Sequence, residues 1–220
     1  SLFFDGINDG ITLTSAGTLS LAQNRSAITL ATWIKTSYTG TQQIAMWWSS
    51  NSADVARAAL SIGSVGEFRG ISRCTDGDVT QSTSGGFIAD GNWHHIASVF
   101  NYPNDSITLY IDGQTIDQSG SVSFVGTATS NTSSSNARIG FGSVSSNPSF
   151  LLSGYLADAR FYNRALTSED IYSLYQYSES GLIGHWKLDD NNSTTTVMPI
   201  VGPTGLLSGA GNTSGSYVLG

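Results

Sequence analysis

Short runs rich in β-branched and aromatic residues alternate with turn residues along most of the chain, and this alternation constrains the fold more than any other feature. Such runs favour strands, and many short strands separated by turns are typical of a β-sandwich. The Asp112-Gly113 pair between two apolar runs is the strongest short-range hairpin signal. The sequence therefore predicts an all-β sandwich, with strands over residues 27–36, 56–63, 67–73, 90–100, 106–116, 137–143 and 154–163.

One segment has a helical pattern instead. Three apolar residues at spacings of three and four fall on one helical face: Ile171, Leu174 and Tyr175. Thr167 or Ser168 can serve as the N-cap, and Asp170 follows Thr167 by three residues, the spacing of a capping box. We therefore expect one short amphipathic helix over residues 168–176, closing an edge or an end of the sandwich.

Composition narrows the class of protein. The chain has 220 residues, a length that suits one large β domain. Its net charge is −7 and no basic patch is visible, so we expect no nucleic-acid partner. No apolar run approaches the roughly 20 residues of a membrane span, so we expect no membrane insertion.

Cys74 is the single cysteine, which excludes an intrachain disulfide and favours a small buried side chain. The chain opens on "SLFFDG" without a leader-like segment, and we expect a piece of a larger protein.

The stretch "FFDGINDGITL", residues 3–13, allows two interpretations. Asp, Asn and Gly suit a tight turn, because Gly accepts a positive φ and Asx side chains bond their own backbone. Asp5, Asn8 and Asp9 are also hard oxygen donors within five residues, as a calcium loop requires. Local sequence alone leaves the turn and the calcium site as alternatives.

Several phrases occur in an order that resembles a known family. They are "LFFDGINDGITL", "ITLATWIKT", "DGNWHHIASVF", "ITLYIDGQ", "ARIGFG" and "GYLADARFYNRALTSEDIYSLY". Together, from residue 2 to about 176, they resemble the laminin-G-like branch of the concanavalin A-like lectin/glucanase superfamily. The resemblance implies two antiparallel sheets packed as a jelly roll. It also implies a binding module, often calcium-binding, attached to a larger extracellular protein.

The resemblance strengthens the calcium interpretation of Asp5, Asn8 and Asp9. In the family, an acidic residue or a carbonyl group of the last strand approaches this loop. Here the position of the usual Asp is Ala157, and Asp158 takes the next place. We therefore expect calcium at Asp5 and Asn8, closed by Asp9 or Asp158. The alternative for Asp158 is an ion pair with Arg160 on the same strand face.

The C-terminal segment resembles the usual beginning of the family. "GLIGHWKLDD" at residues 181–190 reads like the strand that normally precedes the "FDG" strand. The chain therefore resembles either a circular permutation or a window cut from tandem repeats. In both cases we expect residues 1–220 to form a single domain, in which 181–220 supply the missing first strand next to residues 154–163.

Catalysis is not expected. Glycoside hydrolases need a positioned pair of carboxylates, and the glucanases of this fold carry a Glu-x-Asp-x-x-Glu strand. The chain has three glutamates and none lies in such a motif: Glu67, Glu169 and Glu179. His94 and His95 cannot chelate one ion from a strand, because successive side chains point to opposite faces. We expect both histidines to have structural roles.

A sugar-binding surface needs exposed aromatic rings near polar groups. The segment 45–57 supplies Trp47 and Trp48, and on a strand these rings face opposite ways. Arg57, Arg73 and Asp78 are candidate polar companions in the same ligand-binding face. The alternative, that both tryptophans pack within the sandwich, stays open.

The sequence therefore predicts a non-catalytic carbohydrate-binding or adhesion module of a larger protein, located extracellularly, on a cell surface or on a virion. The expected partner is a glycan or a cell-surface polysaccharide, with neighbouring repeats of the parent protein as further partners. A structural or oligomerising repeat that binds no sugar is the main alternative. A glycoside-active enzyme is a weaker one.

Overall fold

The computed structural model describes residues 1–13, 20–41, 43–50, 56–74, 81–116, 122–124, 134–144 and 147–176, together with four short strands near the C-terminus. The first thirteen strands are β1 (Leu2–Asp5), β2 (Ile11–Leu13), β3 (Ala27–Lys35), β4 (Gln43–Ser50), β5 (Ala56–Ile62), β6 (Glu67–Ser72), β7 (Gln81–Phe87), β8 (Trp93–Asn101), β9 (Ser106–Ile111), β10 (Gln114–Thr115), β11 (Ser134–Ile139), β12 (Gly142–Val144) and β13 (Asn147–Ser149). The remaining elements are β14 (Ser153–Tyr162), α1 (Ser168–Tyr175), β15 (His185–Trp186), β16 (Thr196–Val197), β17 (Gly205–Leu206), β18 (Tyr217–Leu219) and a 3₁₀ turn at Ser20–Ala22.

Two sheets form the sandwich. Sheet 1 has the order β1-β14-β3-β8-β9-β10, and β15 also pairs with β14. Sheet 2 has the order β18-β2-β11-β4-β5-β6-β7. The pairings are antiparallel except for β18 with β2, which is parallel. The predicted all-β, two-sheet antiparallel jelly-roll sandwich is confirmed.

The core lies between the sheets and follows from the alternation of side chains along each strand. Ile34 of β3 and Leu156 of β14 face inward from sheet 1, and Leu60 and Phe68 face inward from sheet 2. Cys74 is fully buried in the same cluster, as its sequence context predicts. Burial contributes about 25 cal/mol per Å² of apolar surface, so this shared cluster is the main source of cohesion between the sheets.

Helix α1 lies where the sequence predicts a helix. Thr167 is the N-cap, its hydroxyl accepts the Asp170 N–H, and the Asp170 carboxylate accepts the Thr167 N–H, each at 3.1 Å. A hydrogen bond from Arg164 to the carboxylate, at 2.7 Å, lowers the pKa of Asp170. The buried side chains Ile171 and Leu174 pack on the outer face of sheet 1 rather than at an edge or an end. The apolar stripe of the helix thus covers part of a sheet face that would otherwise be open to solvent.

Two local predictions have different outcomes. Asp112 and Gly113 both have positive φ values and connect β9 to β10, so the predicted hairpin is confirmed. The polar composition of residues 127–136, rich in Ser, Thr and Asn, also predicts a loop. The last three of these residues instead begin β11, which pairs with β2 and β4. Residues 127–133 lie outside the described residues.

The C-terminal segment contributes strands to both sheets. His185–Trp186 pairs with Arg160 and Ala159 of β14, on the edge that β1 also uses. Tyr217–Leu219 pairs with Ile11–Leu13 of β2. β15 covers two residues of the "GLIGHWKLDD" segment, and the other residues of that segment lie outside the described residues. The assignment of residues 1–220 to a single domain stays a prediction. In the described ranges, no helix is long and apolar enough to cross a lipid bilayer.

Candidate functional site

The loop between β1 and β2 is closed by its own acidic side chains. Asp5 Oδ1 accepts the N–H groups of Ile7 at 2.7 Å and Asn8 at 3.3 Å. Asp9 Oδ2 accepts the N–H of Asp5 at 3.0 Å. Gly6 has a φ of +78°, a conformation that other residues rarely adopt. The bond from the Ile7 N–H to Asp5 Oδ1 is that of an Asx turn, so the geometry matches the turn interpretation of this stretch.

Two carboxylate oxygens of the same loop are left available to bind a cation. Within the described residues, Asp5 Oδ2 and Asp9 Oδ1 make no hydrogen bond, and both are the hard donors that calcium prefers. Asp158 is not part of this loop. It accepts two hydrogen bonds from Arg160, at 3.0 and 2.6 Å. It also lies five positions along β14 from Ser153, which pairs with Asp5, and therefore roughly 15 Å away.

The alternative role of Asp158, an ion pair with Arg160, is therefore what the structure shows. Among the described residues, no group of three His, Cys, Asp or Glu side chains is arranged to hold a metal ion. An ion at Asp5, Asn8 and Asp9 would need carbonyl oxygens and water to complete its six to eight ligands. Calcium at this loop stays a prediction.

A cleft of about 560 Å³ opens beside the loop, at one end of the sandwich. Its lining residues include polar groups and exposed apolar side chains: Asp5, Ile7, Tyr38, Thr41, Phe150 and Ser153. This volume lies within the range of small-ligand sites. We call this site the end cleft.

Buried polar side chains hold the walls of the end cleft together. Gln43 donates from Nε2 to the Tyr38 carbonyl at 3.0 Å, and its Oε1 accepts the Ser153 N–H at 2.7 Å. Thr36 Oγ1 donates to the Ser153 carbonyl at 2.7 Å and accepts the Tyr38 N–H at 3.1 Å. Because Gln43 is fully buried, these bonds are shielded from water, and the cleft is preformed.

Sequence analysis did not identify the end cleft. Its walls come from segments more than one hundred positions apart, as the Gln43–Ser153 bond shows. The local sequence signal was an aromatic residue, Tyr38, within the polar stretch that follows β3.

The residues expected to form the ligand-binding face are only partly described. Trp47 and Trp48 lie in β4, an inner strand of sheet 2, and Arg57 lies in the neighbouring β5. The side chains of these three residues, and Asp78 as a whole, lie outside the described residues. Arg73 is only 4% exposed. The structure therefore places Arg73 in the interior, where it cannot contribute to an accessible face.

The two adjacent histidines face opposite sides of β8, as strand geometry predicts. His94 Nδ1 lies 2.8 Å from Asp112 Oδ2, and His94 Nε2 lies 3.1 Å from Asp90 Oδ1. Burial opposes the charge of His94, but the hydrogen bonds to Asp112 and Asp90 outweigh it and raise its pKa. Hydrogen bonds from the side chain and the backbone of Asn92 lower the pKa of Asp90 to about 2. His94 thus ties the start of β8 to the β9–β10 turn.

His95 has the opposite environment. It is buried against Trp33, with ring centroids 5.4 Å apart, and its Nδ1 has no hydrogen-bond partner in the described part of the chain. Burial, together with the nearby Arg160 guanidinium, lowers the pKa of His95 to about 4. His95 is thus a neutral imidazole packed in the interior, whereas His94 makes two side-chain hydrogen bonds. Both environments agree with the structural roles expected for the two histidines.

Comparisons with known proteins agree with this architecture. Residues 5–172 match the family model Laminin_G_3, described as the concanavalin A-like lectin/glucanases superfamily. A heptameric SAP-like pentraxin from Limulus polyphemus has a similar structure, with a TM-score of 0.58, 14% identity, and coverage of 79% of this chain and 80% of the pentraxin chain. No curated protein matches the sequence significantly.

Two further structures have comparable similarity. A putative carbohydrate binding protein from Bacteroides ovatus has a TM-score of 0.60 and 14% identity, over 90% of this chain and 56% of that one. The CBM40 of the Ruminococcus gnavus IT-sialidase, bound to α2,3 sialyllactose, has a TM-score of 0.57 and 15% identity, over 78% of this chain and 99% of that one. This chain thus spans little more than half of the Bacteroides protein. At these identities the likeness shows the fold alone, whereas the family model covers most of the sequence. The chain belongs to the Laminin_G_3 family of the concanavalin A-like lectin/glucanases superfamily.

Proposed function

We propose that this chain is a carbohydrate-binding module that holds a sugar in the end cleft and performs no catalysis. The observation that carries the proposal is the cleft itself, in which exposed Tyr38 and Phe150 stand beside the polar groups of Asp5, Thr41 and Ser153. Aromatic rings supply a stacking surface and fixed polar groups supply orientation. The shared fold of carbohydrate-binding modules supports the same assignment.

The positions of the two described glutamates support a role without catalysis. Glu67 accepts the Val65 N–H within its own turn, and Glu169 lies in the exposed first turn of α1. Neither faces the end cleft. A secreted, cell-surface or virion location is part of this proposal, as is attachment to neighbouring repeats of a larger protein.

A glycan array, run with calcium and with chelator, tests the proposal. We expect selective binding of at least one glycan by the intact chain. Tyr38→Ala should abolish this binding, whereas Tyr172→Ala, which removes an exposed ring on α1, should preserve it. Absence of binding to all glycans by a folded protein would favour the structural-repeat alternative. Release of reducing ends, lost on mutation of one carboxylate, would show an enzyme instead.

A further inference from the structure

A row of exposed side chains crosses four strands on the outer face of sheet 1. Phe3 of β1 pairs in register with Tyr155 of β14, Tyr155 with Lys35 of β3, and Lys35 with Trp93 of β8. Neighbouring strands lie about 4.8 Å apart, so the row is about 14 Å long. We call these four residues the aromatic row.

The aromatic row faces solvent rather than the core. Phe4, Leu156 and Ile34, the next residues along the same strands, are buried between the sheets. Exposure is 56% for Phe3, 39% for Tyr155 and 38% for Trp93. Single exposed apolar residues need no explanation, but a contiguous patch indicates an interaction site.

The rings are arranged around Lys35. The Phe3 and Tyr155 centroids are 4.9 Å apart, and the Tyr155 and Trp93 centroids are 6.2 Å apart. Tyr155 and Trp93 stand on strands that are two spacings, roughly 10 Å, apart. Their rings therefore lean toward each other over the strand that carries Lys35.

Lys35 is the one charge in the aromatic row, and its ammonium has no ion-pair or hydrogen-bond partner within the described residues. The other cations described nearby are engaged, Arg160 with Asp158 and His94 with two carboxylates. An unpaired cation between aromatic rings is complementary to a carboxylate on a molecule that also presents an apolar face.

We propose that the aromatic row binds a linear polysaccharide that carries carboxylate groups, with sugar rings stacking on Tyr155 and Trp93 and a carboxylate pairing with Lys35. The inference rests on the proposed function and extends it beyond the end cleft. Phe3 and Tyr155 of the row lie two residues along their strands from Asp5 and Ser153 of the cleft. The spacing of the rings is comparable to the length of one hexose unit. A second copy of the chain is a poorer occupant, because protein interfaces use about 20 residues a side.

Calorimetric titration with polygalacturonate, alginate and hyaluronate, each compared with its methyl ester, tests the proposal. We expect at least one acidic polymer to bind more tightly than its ester and to lose affinity as salt is raised. Trp93→Ala should weaken both forms at least about tenfold, which is 1.4 kcal/mol. Lys35→Gln should weaken only the acidic form. Tyr172→Ala is the matched exposed-aromatic control, and denaturation curves of all variants verify folding.

The possible failures are distinguishable. In one such outcome, Tyr38→Ala is the variant that abolishes binding of the acidic polymers, while Trp93→Ala and Lys35→Gln leave it unchanged. In that case the polymers bind in the end cleft and not at the aromatic row. If only neutral glycans bind, or none of the three acidic polymers does, the inference is overturned. Loss of a dimer in Trp93→Ala, seen by light scattering, would also overturn it. Failure of every glycan, neutral or acidic, would overturn the proposed function as well.

Discussion

Helix α1 covers one half of the outer face of sheet 1, whereas the other half, which carries the aromatic row, has no such cover within the described residues. In the covered half, Ile171 and Leu174 of the helix pack on Ala31, Tyr110 and Tyr162 of the sheet. In the open half, the aromatic row carries side chains of similar apolar character with no such cover in the described part of the chain. The same sheet thus uses apolar side chains for cohesion at one end and leaves them available for contact at the other.

The largest expected effect tests this contrast directly. Ile171→Ala should lower the free energy of unfolding by about 2–5 kcal/mol, because it leaves a cavity under the helix. Trp93→Ala in the open half should cost clearly less, since its ring is already partly in water. Denaturant unfolding of both variants measures the difference. Equal losses would mean that the aromatic row is structural and that the two halves do not differ.

The pH dependence of stability extends this comparison to two adjacent side chains, the partly exposed His94 and the buried His95. The raised pKa of His94 contributes stability that is present below about pH 6.5 and is lost as pH rises through the folded value. The pKa of His95, lowered to about 4, costs stability as pH falls from about 6.5 toward 4. Stability should therefore be greatest near pH 6.5, with slopes of at most about 1.4 kcal/mol per pH unit for each histidine.

Unfolding curves measured between pH 4 and 9 check this expectation. His94→Gln should remove the decline on the alkaline side, and His95→Gln the decline on the acid side. Each slope is read within one variant, so an overall loss of stability does not obscure it. A decline above pH 6.5 that persists in His94→Gln would contradict the role assigned to the Asp90 and Asp112 contacts.

A smaller effect on stability is expected from the capping box at the start of helix α1. Thr167→Ala removes one side of the capping box and should cost about 1 kcal/mol. Thr167→Ser keeps the hydroxyl and should remain close to the wild-type protein. Thermal unfolding of the two variants measures the contribution of the capping hydrogen bond to stability, separately from the packing under the helix. A loss in Thr167→Ser as large as in Thr167→Ala would show that the methyl group, not the hydrogen bond, matters.

The smallest expected effect concerns the loop beside the open half. If calcium binds at Asp5 and Asp9 with a millimolar Kd, an equal calcium concentration should stabilise the fold by about 0.4 kcal/mol. Unfolding in calcium and in chelator measures this difference. Asp9→Asn keeps an oxygen acceptor for the Asp5 N–H and should reduce the calcium response. Identical curves in calcium and chelator would leave the loop as a turn.

The sequence by itself determined the features that depend on neighbours along the chain. Strand alternation, the Asp112-Gly113 hairpin and the Thr167–Asp170 capping box are local, because backbone geometry places residues two, three or four positions apart in contact. The ordered phrases of the family likewise predicted the two-sheet sandwich. Even the Asp158–Arg160 pair could be proposed, since residues i and i+2 share one strand face.

Tertiary structure decided what could not be predicted in that way. Phe3, Lys35, Trp93 and Tyr155 become neighbours only because β1, β14, β3 and β8 pair in one particular register. The position of α1 on a face of sheet 1 depends on apolar packing, and the closing of the end cleft depends on side-chain hydrogen bonds of Gln43. Sequence periodicity assigns a residue to one face of its own strand. It does not specify which distant strand lies beside it, and that long-range choice created the candidate contact surfaces of this protein.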